Sequence, residues 1–442
     1  MKTYSYKQII QLALPILVGT MMEQIIGLTD TIFLGRVGEV EQGAAAPAGV
    51  LYITIFMVGL GFCVGSQIVM SRRNGEGNYR DIGTVFYHSL AFLMLAALAL
   101  FVLSRLFVPT LLSWVLNEPE VQRAATEYLY WRVIGFFFAF GGLLFRAFYV
   151  STLNTKTLTL NSVVMVLSNV AFNYILIFGH FGAPRMGIGG AALGSALAEG
   201  VSLLFYALYT RQTVDLKKYG LDCLPKFQPK LLRNVLGISS WTMLQDVLAL
   251  GTWFIFFLAV EHLGKSELAA SNIIRNISSA CFMSISAIGA TVSTLVGNLM
   301  GEGEIDSVRP LLVKTMKLAY MVVVPLIGLI YLFPNPILSI FTDSEPLKDL
   351  SLVPLYVLLS SNFICVPAYT LMRGVSASGN TKTAFVTEMV ALAFYVIFIF
   401  VAILYLRIPF WACTFSEHIY YIILWIGCGL YMRYGRWYER KV

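Results

Sequence analysis

Apolar residues follow one another along most of this 442-residue chain. The runs are close to the roughly 20 residues that a helix needs to cross a bilayer. Stretches such as HSLAFLMLAALALFVL are continuous and lack the alternation that is typical of β-barrel strands. The pattern therefore predicts an all-α integral membrane protein with twelve transmembrane helices. The predicted spans are 9–34, 44–70, 82–107, 124–150, 158–179, 187–210, 235–260, 267–299, 311–333, 350–375, 383–406 and 411–432.

The polar positions predict that the chain is built from two similar halves. The longest polar interval, at 211–233, separates an amino-terminal lobe of six helices (1–210) from a carboxy-terminal lobe of six helices (234–442). The motif GEG recurs at 75–77 and 301–303, and NTKT recurs at 154–157 and 380–383, so 301 − 75 and 380 − 154 both give 226. Turn chemistry explains these residue types, since Gly and Asn accept positive φ, whereas duplication explains their spacing. Six crossings return the chain to its starting side, which predicts parallel repeats around a central cleft.

Composition and charge place the chain in a membrane. Hydrophobic residues make up 58% of the sequence and charged residues only 12%, which excludes an ordinary soluble domain. The net charge of +7 does not predict nucleic-acid binding, because Lys and Arg concentrate at the amino terminus, the 211–233 linker, the repeated turns and the tail. By the positive-inside rule, both termini and the linker are predicted to be cytoplasmic. The six Cys have no CxxC spacing and are expected to be free thiols.

Charged side chains inside the predicted spans are candidates for function, because each costs roughly 2.5–3.5 kcal/mol at the bilayer centre on insertion scales. Glu388 lies near the cytoplasmic end of its span and is expected to reach the interface in a structural role. Arg275 is expected to act as counter-ion to a buried carboxylate. The charged positions considered are Glu23, Asp30, Glu199, Asp246, Arg275 and Glu388.

Four oxygen-bearing side chains are predicted to share one depth in the amino-terminal lobe. At 1.5 Å per residue, Asp30, Asn169, Asn173 and Ser195 each lie about 6–15 Å inward from the outer ends of their spans. Asn169 and Asn173 are four residues apart and face the same way, and Glu199 follows Ser195 by the same interval. A carboxylate among amides and a hydroxyl suits Na⁺ or a proton. Interhelical hydrogen bonding is the alternative role for the amides and the hydroxyl.

These residues also carry a family resemblance that covers the whole chain. The segments LPILVGTMMEQIIGLTDTIFLGRVG, NVAFNYILIFG and GIGGAALGSALAEG, with the paired turns, resemble the multidrug and toxic compound extrusion (MATE) family. The resemblance implies exchange of incoming Na⁺ or H⁺ for outgoing organic cations or other amphipathic compounds. It implies a cation or proton site at Asp30, Asn169, Asn173 and Ser195, with Na⁺ held by Asp30 and the two asparagines. It also implies a gating role for Pro15, where relatives have a straight or bent first helix.

The second lobe departs from part of the family pattern. Gln245 and Asp246 lie on the seventh span, but Cys365 stands where some relatives carry an acid on the tenth. A second ion site is therefore not predicted, and Gln245, Asp246 and Arg275 are kept with Glu23 and Glu199 as accessory or substrate positions. The aromatic residues Phe136, Phe137, Phe138 and Tyr149 would either contact an organic cation or pack against other side chains.

The leading functional hypothesis is a monomeric secondary antiporter that works by alternating access on small-molecule substrates. It needs no cofactor beyond its coupling ion. A flippase for lipid-linked saccharides is the alternative within transport, although it would need a cationic cavity for pyrophosphate, and the charges considered are mainly acidic. A membrane-embedded enzyme is a further alternative, but the four scattered His give no catalytic or metal-ligand spacing. The sequence also has no P-loop for direct use of ATP.

Overall fold

The computed structural model describes residues 3–116 and 118–440, with the backbone alone at Trp253, and these residues form helices and turns without a strand. A π-helical segment, Ile399–Tyr405, continues α13. The α-helices are α1 (Tyr6–Gly35), α2 (Glu39–Gly75), α3 (Tyr79–Val115), α4 (Pro119–Arg132), α5 (Gly135–Ser151), α6 (Lys156–Phe178), α7 (Gly187–Thr213), α8 (Pro229–Glu261), α9 (Lys265–Gly301), α10 (Val308–Leu332), α11 (Pro334–Ser339), α12 (Glu345–Ala377), α13 (Thr381–Phe398), α14 (Phe410–Cys413) and α15 (Ser416–Tyr434).

Each of the twelve predicted spans coincides with helix, and the all-α membrane fold is confirmed. Within the described ranges, ten helices are long and apolar enough to cross a membrane, or eleven if α4 and α5 form one span. The last predicted span corresponds mainly to α15, which is 19 residues long and lies outside that set. Its lower hydropathy follows from Glu417 and His418 at its start and Arg433 near its end.

Two features of the helices differ from the prediction. The fourth span is not one helix, because α4 and α5 meet at a bend of 50° around residues 133–134. Gly135, a weak helix former, begins the second piece. The irregular linker is also shorter than 211–233, since α7 continues to Thr213 and α8 begins at Pro229.

The chain divides into two compact units. The amino-terminal unit is Val18–Met243, and the carboxy-terminal unit runs from Leu244 onward and takes in the chain up to Leu17. The boundaries between the two units lie inside α1 and α8 rather than in the linker. Pro15 and Asp30 therefore belong to different units, although α1 is continuous between them. Pro15 has no backbone N–H, so α1 lacks one helical hydrogen bond at that point.

The second helix of each repeat has the same length and the same ends. Both α2 and α9 have 37 residues, and each follows a glycine, Gly38 in the first copy and Gly264 in the second. Both GEG motifs form the helix-ending turn, with φ of 72° at Gly77 and 79° at Gly303. In each copy a backbone N–H closes the turn on the carbonyl five residues earlier, at 3.0 Å. The two copies, 226 residues apart, therefore share backbone geometry as well as sequence.

The NTKT motifs also follow equivalent turns. Leu153, just before the first copy, has φ of 63°, and Gly379, just before the second, has φ of 91°. These positions are again 379 − 153 = 226 residues apart. Helices α6 and α13 begin inside the two copies, at Lys156 and Thr381. The residue with positive φ is leucine before the first copy and glycine before the second, but the chain turns at the same place.

We expect the turn at Gly303 to require glycine for its backbone alone. No atom lies within 4 Å of a Cβ added at Gly303 or at Gly328 inside α10, but only Gly303 has positive φ. Gly303→Ala should therefore lower the free energy of unfolding by about 1 kcal/mol. Gly328→Ala should raise it by about 0.5–1 kcal/mol. Thermal unfolding of the purified protein measures both, and equal shifts of the same sign would contradict this reading.

Candidate functional site

Four side chains predicted to share one depth meet in the amino-terminal unit. Asn173 Nδ2 donates to Asp30 Oδ1 at 2.5 Å, and Asn169 Nδ2 reaches the same oxygen at 3.3 Å. Ser195 Oγ donates to Asp30 Oδ2 at 2.9 Å. The carboxylate on α1 thus accepts hydrogen bonds from α6 and α7. The prediction from helical rise that these four side chains lie close together is therefore correct.

The packing of α6 against α7 holds the neutral partners in place. Asn169 and Asn173 are fully buried and Ser195 is 3% exposed, whereas Asp30 is partly exposed. Asn169 Nδ2 also donates to Ser195 Oγ at 3.0 Å, which links the two helices directly. The close approach needs a small residue on α7, because a Cβ at Gly194 would lie 2.5 Å from Asn173 Oδ1. The arrangement is buried on the α6–α7 side and partly exposed on the α1 side.

Asp30 differs from the other two acids considered in this unit because it has no basic partner at ion-pair distance among the described residues. Glu23 pairs with Arg146 at 2.8 Å, and Glu199 pairs with Arg132 at 2.6 Å. Asp30 instead has only neutral donors. Its negative charge is therefore not compensated by a fixed cation in direct contact. That property suits a carboxylate that holds an exchangeable ion.

A buried ion pair lies one helical turn from this cluster. Arg132, the last residue of α4, donates from Nη1 and Nη2 to both oxygens of Glu199 on α7, at 2.9 and 2.6 Å. Tyr52 adds a hydrogen bond to Glu199 at 3.4 Å, and its ring lies 4.0 Å from the guanidinium carbon. A Cβ at Gly135 would lie 2.4 Å from a Glu199 oxygen, so glycine provides the space for the pair. Since Glu199 follows Ser195 by four residues, α7 connects the pair to the Asp30 cluster.

A cavity of about 240 Å³ opens beside the ion pair, entirely within the amino-terminal unit. Its charged lining consists of Arg132 with Glu199 and Arg146 with Glu23. The remaining wall is largely apolar and includes aromatic and methionine side chains. The arrangement can accommodate an amphipathic molecule that carries charge.

Of the four aromatic candidates, Phe138 lines this cavity. Phe136 is fully buried, and its ring centroid lies 4.9 Å from that of Tyr52. Phe137 contacts Phe101 with centroids 5.9 Å apart. Tyr149 is buried and shares a hydrogen bond of 2.7 Å with Thr210. Packing therefore accounts for Phe136, Phe137 and Tyr149.

The carboxy-terminal unit contains its own polar cluster on α8 and α12. Gln245 is 7% exposed and donates to Met372 Sδ at 3.3 Å. Asp246 is partly exposed and lies within electrostatic reach of Arg373. Cys365 is fully buried. No group of three or more His, Cys, Asp or Glu side chains placed to hold a metal occurs in residues 3–116 and 118–440.

The structure bears on two predictions about charged residues of this unit. The expectation that Glu388 reaches the interface is wrong, because Glu388 is 3% exposed and accepts a hydrogen bond from Tyr420 at 2.8 Å. Helix α15 covers it, which a position near a span end does not reveal. Arg275 does pair with a carboxylate, and the partner is Glu417 at 3.1 Å. The sequence did not identify this partner, although Glu417 lies inside the last predicted span, 411–432.

The two arginines of the cavity were not among the predicted site residues. Arg132 and Arg146 both lie inside the predicted fourth span, 124–150, where the argument from insertion cost applies to them as it does to the acids. The signal was present, and it would have shown that the amino-terminal unit contains compensated as well as uncompensated carboxylates.

Comparison with known proteins agrees with this fold. The family model MatE matches residues 15–175 and 242–423. The probable multidrug resistance protein NorM of Thermotoga maritima is 24% identical over 389 residues, which cover 87% of this chain and 83% of that protein. The multidrug resistance protein NorM of Vibrio cholerae is 26% identical over 300 residues, covering 66% of this chain and 64% of that protein.

Solved structures show the same fold. An outward-facing multidrug resistance MATE transporter of the MOP superfamily aligns with a TM-score of 0.89 at 17% identity, covering 100% of both chains. A MOP superfamily transporter from Pyrococcus furiosus aligns with a TM-score of 0.85 at 17% identity, covering 98% of this chain and 99% of that one.

The fold and the apolar helices define a multi-pass α-helical membrane protein. The family match spans most of the chain in two segments, one in each half. The chain therefore belongs to the MatE family, as the segments around Asp30, Asn169 and Gly187 predicted.

Proposed function

We propose that this protein is a secondary active antiporter that exports organic cations or other amphipathic drugs in exchange for Na⁺ or H⁺. The observation that carries the proposal is the Asp30 carboxylate, which accepts hydrogen bonds from Asn169, Asn173 and Ser195 and has no basic partner at ion-pair distance in the described ranges. A charge inside a membrane span that only stabilised helix packing would be costly, so a transport role is favoured. The names of the NorM relatives support drug export rather than an enzymatic reaction.

The same residues suit either coupling ion. A proton would bind the Asp30 carboxylate and cancel its charge. Na⁺ would use oxygen ligands, for which the carboxylate, Ser195 Oγ and the carboxamide oxygens of Asn169 and Asn173 are available. Asn173 Oδ1 is buried and has no hydrogen-bond donor among the described residues, so it is an oxygen that a cation would satisfy. Rotation of the carboxamides would present both oxygens to Na⁺.

Transport by alternating access requires ion and drug to favour different states of the protein. We propose that the ion binds at Asp30 and that the nearby cavity contributes to drug binding. Helix α7 carries Ser195 toward the ion and Glu199 toward the cavity, and so gives the two sites a common element. Pro15 weakens α1 and would permit it to bend during the cycle.

A lipid-linked saccharide flippase is less well supported. Such a substrate would need cationic side chains for its pyrophosphate group, but Arg132 and Arg146 are each held by a glutamate. We further propose a monomer in the bacterial inner membrane. The distribution of Lys and Arg supports a cytoplasmic position for both termini.

Proteoliposomes with separately imposed gradients test the function. We expect the organic cation ethidium to move against its own gradient when an opposing Na⁺ or pH gradient is imposed, without ATP. The gradient that drives transport identifies the coupling ion. Protein-free liposomes and a collapsed gradient are the controls. Ethidium movement that is the same with and without both gradients would contradict antiport.

A further inference from the structure

The irregular linker between α7 and α8, residues 214–228, lies against one face of α3. Tyr87 donates from its hydroxyl group to the carbonyl oxygen of Leu221 at 2.9 Å. A Cβ added at Gly83 would overlap the carbonyl oxygen of Gly220, so the two backbones are in contact there. Gly83 and Tyr87 are four residues apart and therefore share one face of α3. The linker is thus docked on α3 before it reaches α8.

His88 makes the contact at the end of the linker. The backbone N–H of Gln228, the last linker residue, donates to His88 Nε2 at 2.7 Å. The imidazole ring stacks on Phe227, with ring centroids 5.4 Å apart. Its Nδ1 atom lies 2.7 Å from the carbonyl oxygen of Thr84, one turn earlier on α3. His88 is only 4% exposed, so these contacts replace water around the ring.

The two hydrogen bonds of the ring fix the protonation state of His88. A carbonyl oxygen only accepts hydrogen bonds, so Nδ1 carries a proton and donates to Thr84. A backbone N–H only donates, so Nε2 carries no proton and accepts from Gln228. His88 is therefore neutral while the linker is docked.

A second proton on the imidazole would break the docked arrangement. This proton would lie on Nε2 and point at the N–H of Gln228, so that two donors would face each other without an acceptor. No carboxylate lies at ion-pair distance from His88 in residues 3–116 and 118–440, so a buried imidazolium would also have no counter-charge. Protonation of His88 and docking of Gln228 therefore exclude each other.

The charged groups on the surrounding elements do not favour an imidazolium at this place. Beside His88 on α3, Ser89 contacts α2 and Phe86 contacts α5. The arginines on these two helices contact glutamates, and the aspartate on α3 accepts a hydrogen bond from Asn78. The charged residues of these elements and of the linker end are Arg72 and Arg73 on α2, Asp81 on α3, Arg146 on α5, Asp222 and Lys226 in the linker and Lys230 on α8.

We propose that His88 is a proton-operated latch for the linker: the neutral ring holds Gln228 on α3, and the protonated ring releases it. An imidazole in water takes up a proton near pH 6.5, so the released state becomes more populated as the solution on the linker side is acidified. Gln228 directly precedes Pro229, where α8 begins, and α8 continues from the amino-terminal into the carboxy-terminal unit. The latch therefore determines how the start of α8 is held, and it is separate from ion binding at Asp30.

Hydrogen–deuterium exchange at Gln228 tests the latch. Peptides that contain the Gln228 amide are followed by mass spectrometry in the purified full chain, about one unit above and about one unit below pH 6.5. The rates are corrected for the pH dependence of chemical exchange. Because only the released ring takes up a proton, we expect the protection of these peptides to fall about tenfold at the lower pH. Peptides from α12 should keep their protection, which shows that the fold persists.

Three variants assign the change to His88. His88→Gln keeps an acceptor, its carboxamide oxygen, but does not titrate, so the protection should stay high at both pH values. His88→Leu removes the acceptor, so the protection should be low at both. His262→Gln is the matched control and should lose protection as the native protein does. His262 Nδ1 also contacts a carbonyl oxygen four residues earlier, that of Leu258 at 2.8 Å, but its ring accepts no backbone N–H within the described residues.

The outcomes separate the latch from the proposed antiport. Equal protection of the native protein at both pH values would overturn the latch. A fall of about tenfold in folded His88→Gln or in folded His88→Leu would overturn it as well, so either variant is sufficient if the other does not fold. Because the exchange experiment uses neither drug nor gradient, Asp30→Asn should show the native fall in protection even though it is expected to lose ion-driven transport.

Discussion

Asp30→Asn is expected to reduce gradient-driven ethidium transport in proteoliposomes to the level of protein-free liposomes. The substitution keeps the size of the side chain and its capacity for hydrogen bonds, but it removes the negative charge that would hold the incoming ion. Asn169→Ala and Asn173→Ala should weaken transport less, because each removes a neutral partner and leaves the carboxylate.

The control for Asp30→Asn is a measurement showing that the variant is folded. Asp30 is partly exposed and has no basic partner at ion-pair distance within the described ranges, so the variant should be inserted normally and unfold at a similar temperature. A well-folded Asp30→Asn protein that transports ethidium at the native rate would refute the assignment. Glu23, Glu199 and Asp246 would then be the remaining candidates for the acid that binds the coupling ion.

Arg132→Met is expected to produce the largest loss of stability among the charged positions of the amino-terminal unit. It would leave Glu199 buried with only the Tyr52 hydrogen bond at 3.4 Å. Removing one partner of a buried ion pair typically costs about 3–5 kcal/mol. Thermal unfolding in detergent measures the loss, and Arg146→Met, which breaks the exposed pair, should cost far less.

The double variant Arg132→Met with Glu199→Met separates the lost pair from lost packing. If the uncompensated charge causes the instability, removing Glu199 as well should restore much of the melting temperature. A double variant as unstable as the sum of the two single variants would show that the two residues do not act as a pair.

The fold was predictable because its signals are long and redundant. Twelve apolar runs predicted the spans, and two short motifs at one spacing predicted a repeat that appears in the equal lengths of α2 and α9. The break at residues 133–134 was not predicted, because the residues around it are as apolar as a continuous helix requires. A bend between two helices that together are apolar enough to span a membrane leaves little trace in hydropathy.

The site was predictable in part, for a geometric reason. Helical rise and four-residue spacing place Asp30, Asn169, Asn173 and Ser195 at one depth without knowledge of the packing. Pairing between distant helices is not a property of either sequence segment. The partnership of Arg132 with Glu199 across 67 residues and that of Arg275 with Glu417 therefore appeared only in the structure.

The burial of Glu388 illustrates the same limit. Depth along α13 places it near a helix end, where a long side chain ordinarily reaches water. The covering contact comes from Tyr420 on α15, 32 residues later. Sequence position gives the height of a residue along the membrane normal, but not which neighbour covers it.

The most direct test of Asp30 as the ion-binding residue measures ion release without transport. Ethidium is added to purified protein in weakly buffered solution, and a pH indicator and ²²Na⁺ retention report which ion leaves. We expect native protein to release either H⁺ or Na⁺ and Asp30→Asn to release neither, while still binding ethidium. Equal ion release from native protein and a folded Asp30→Asn variant would contradict the assignment of the coupling ion to Asp30.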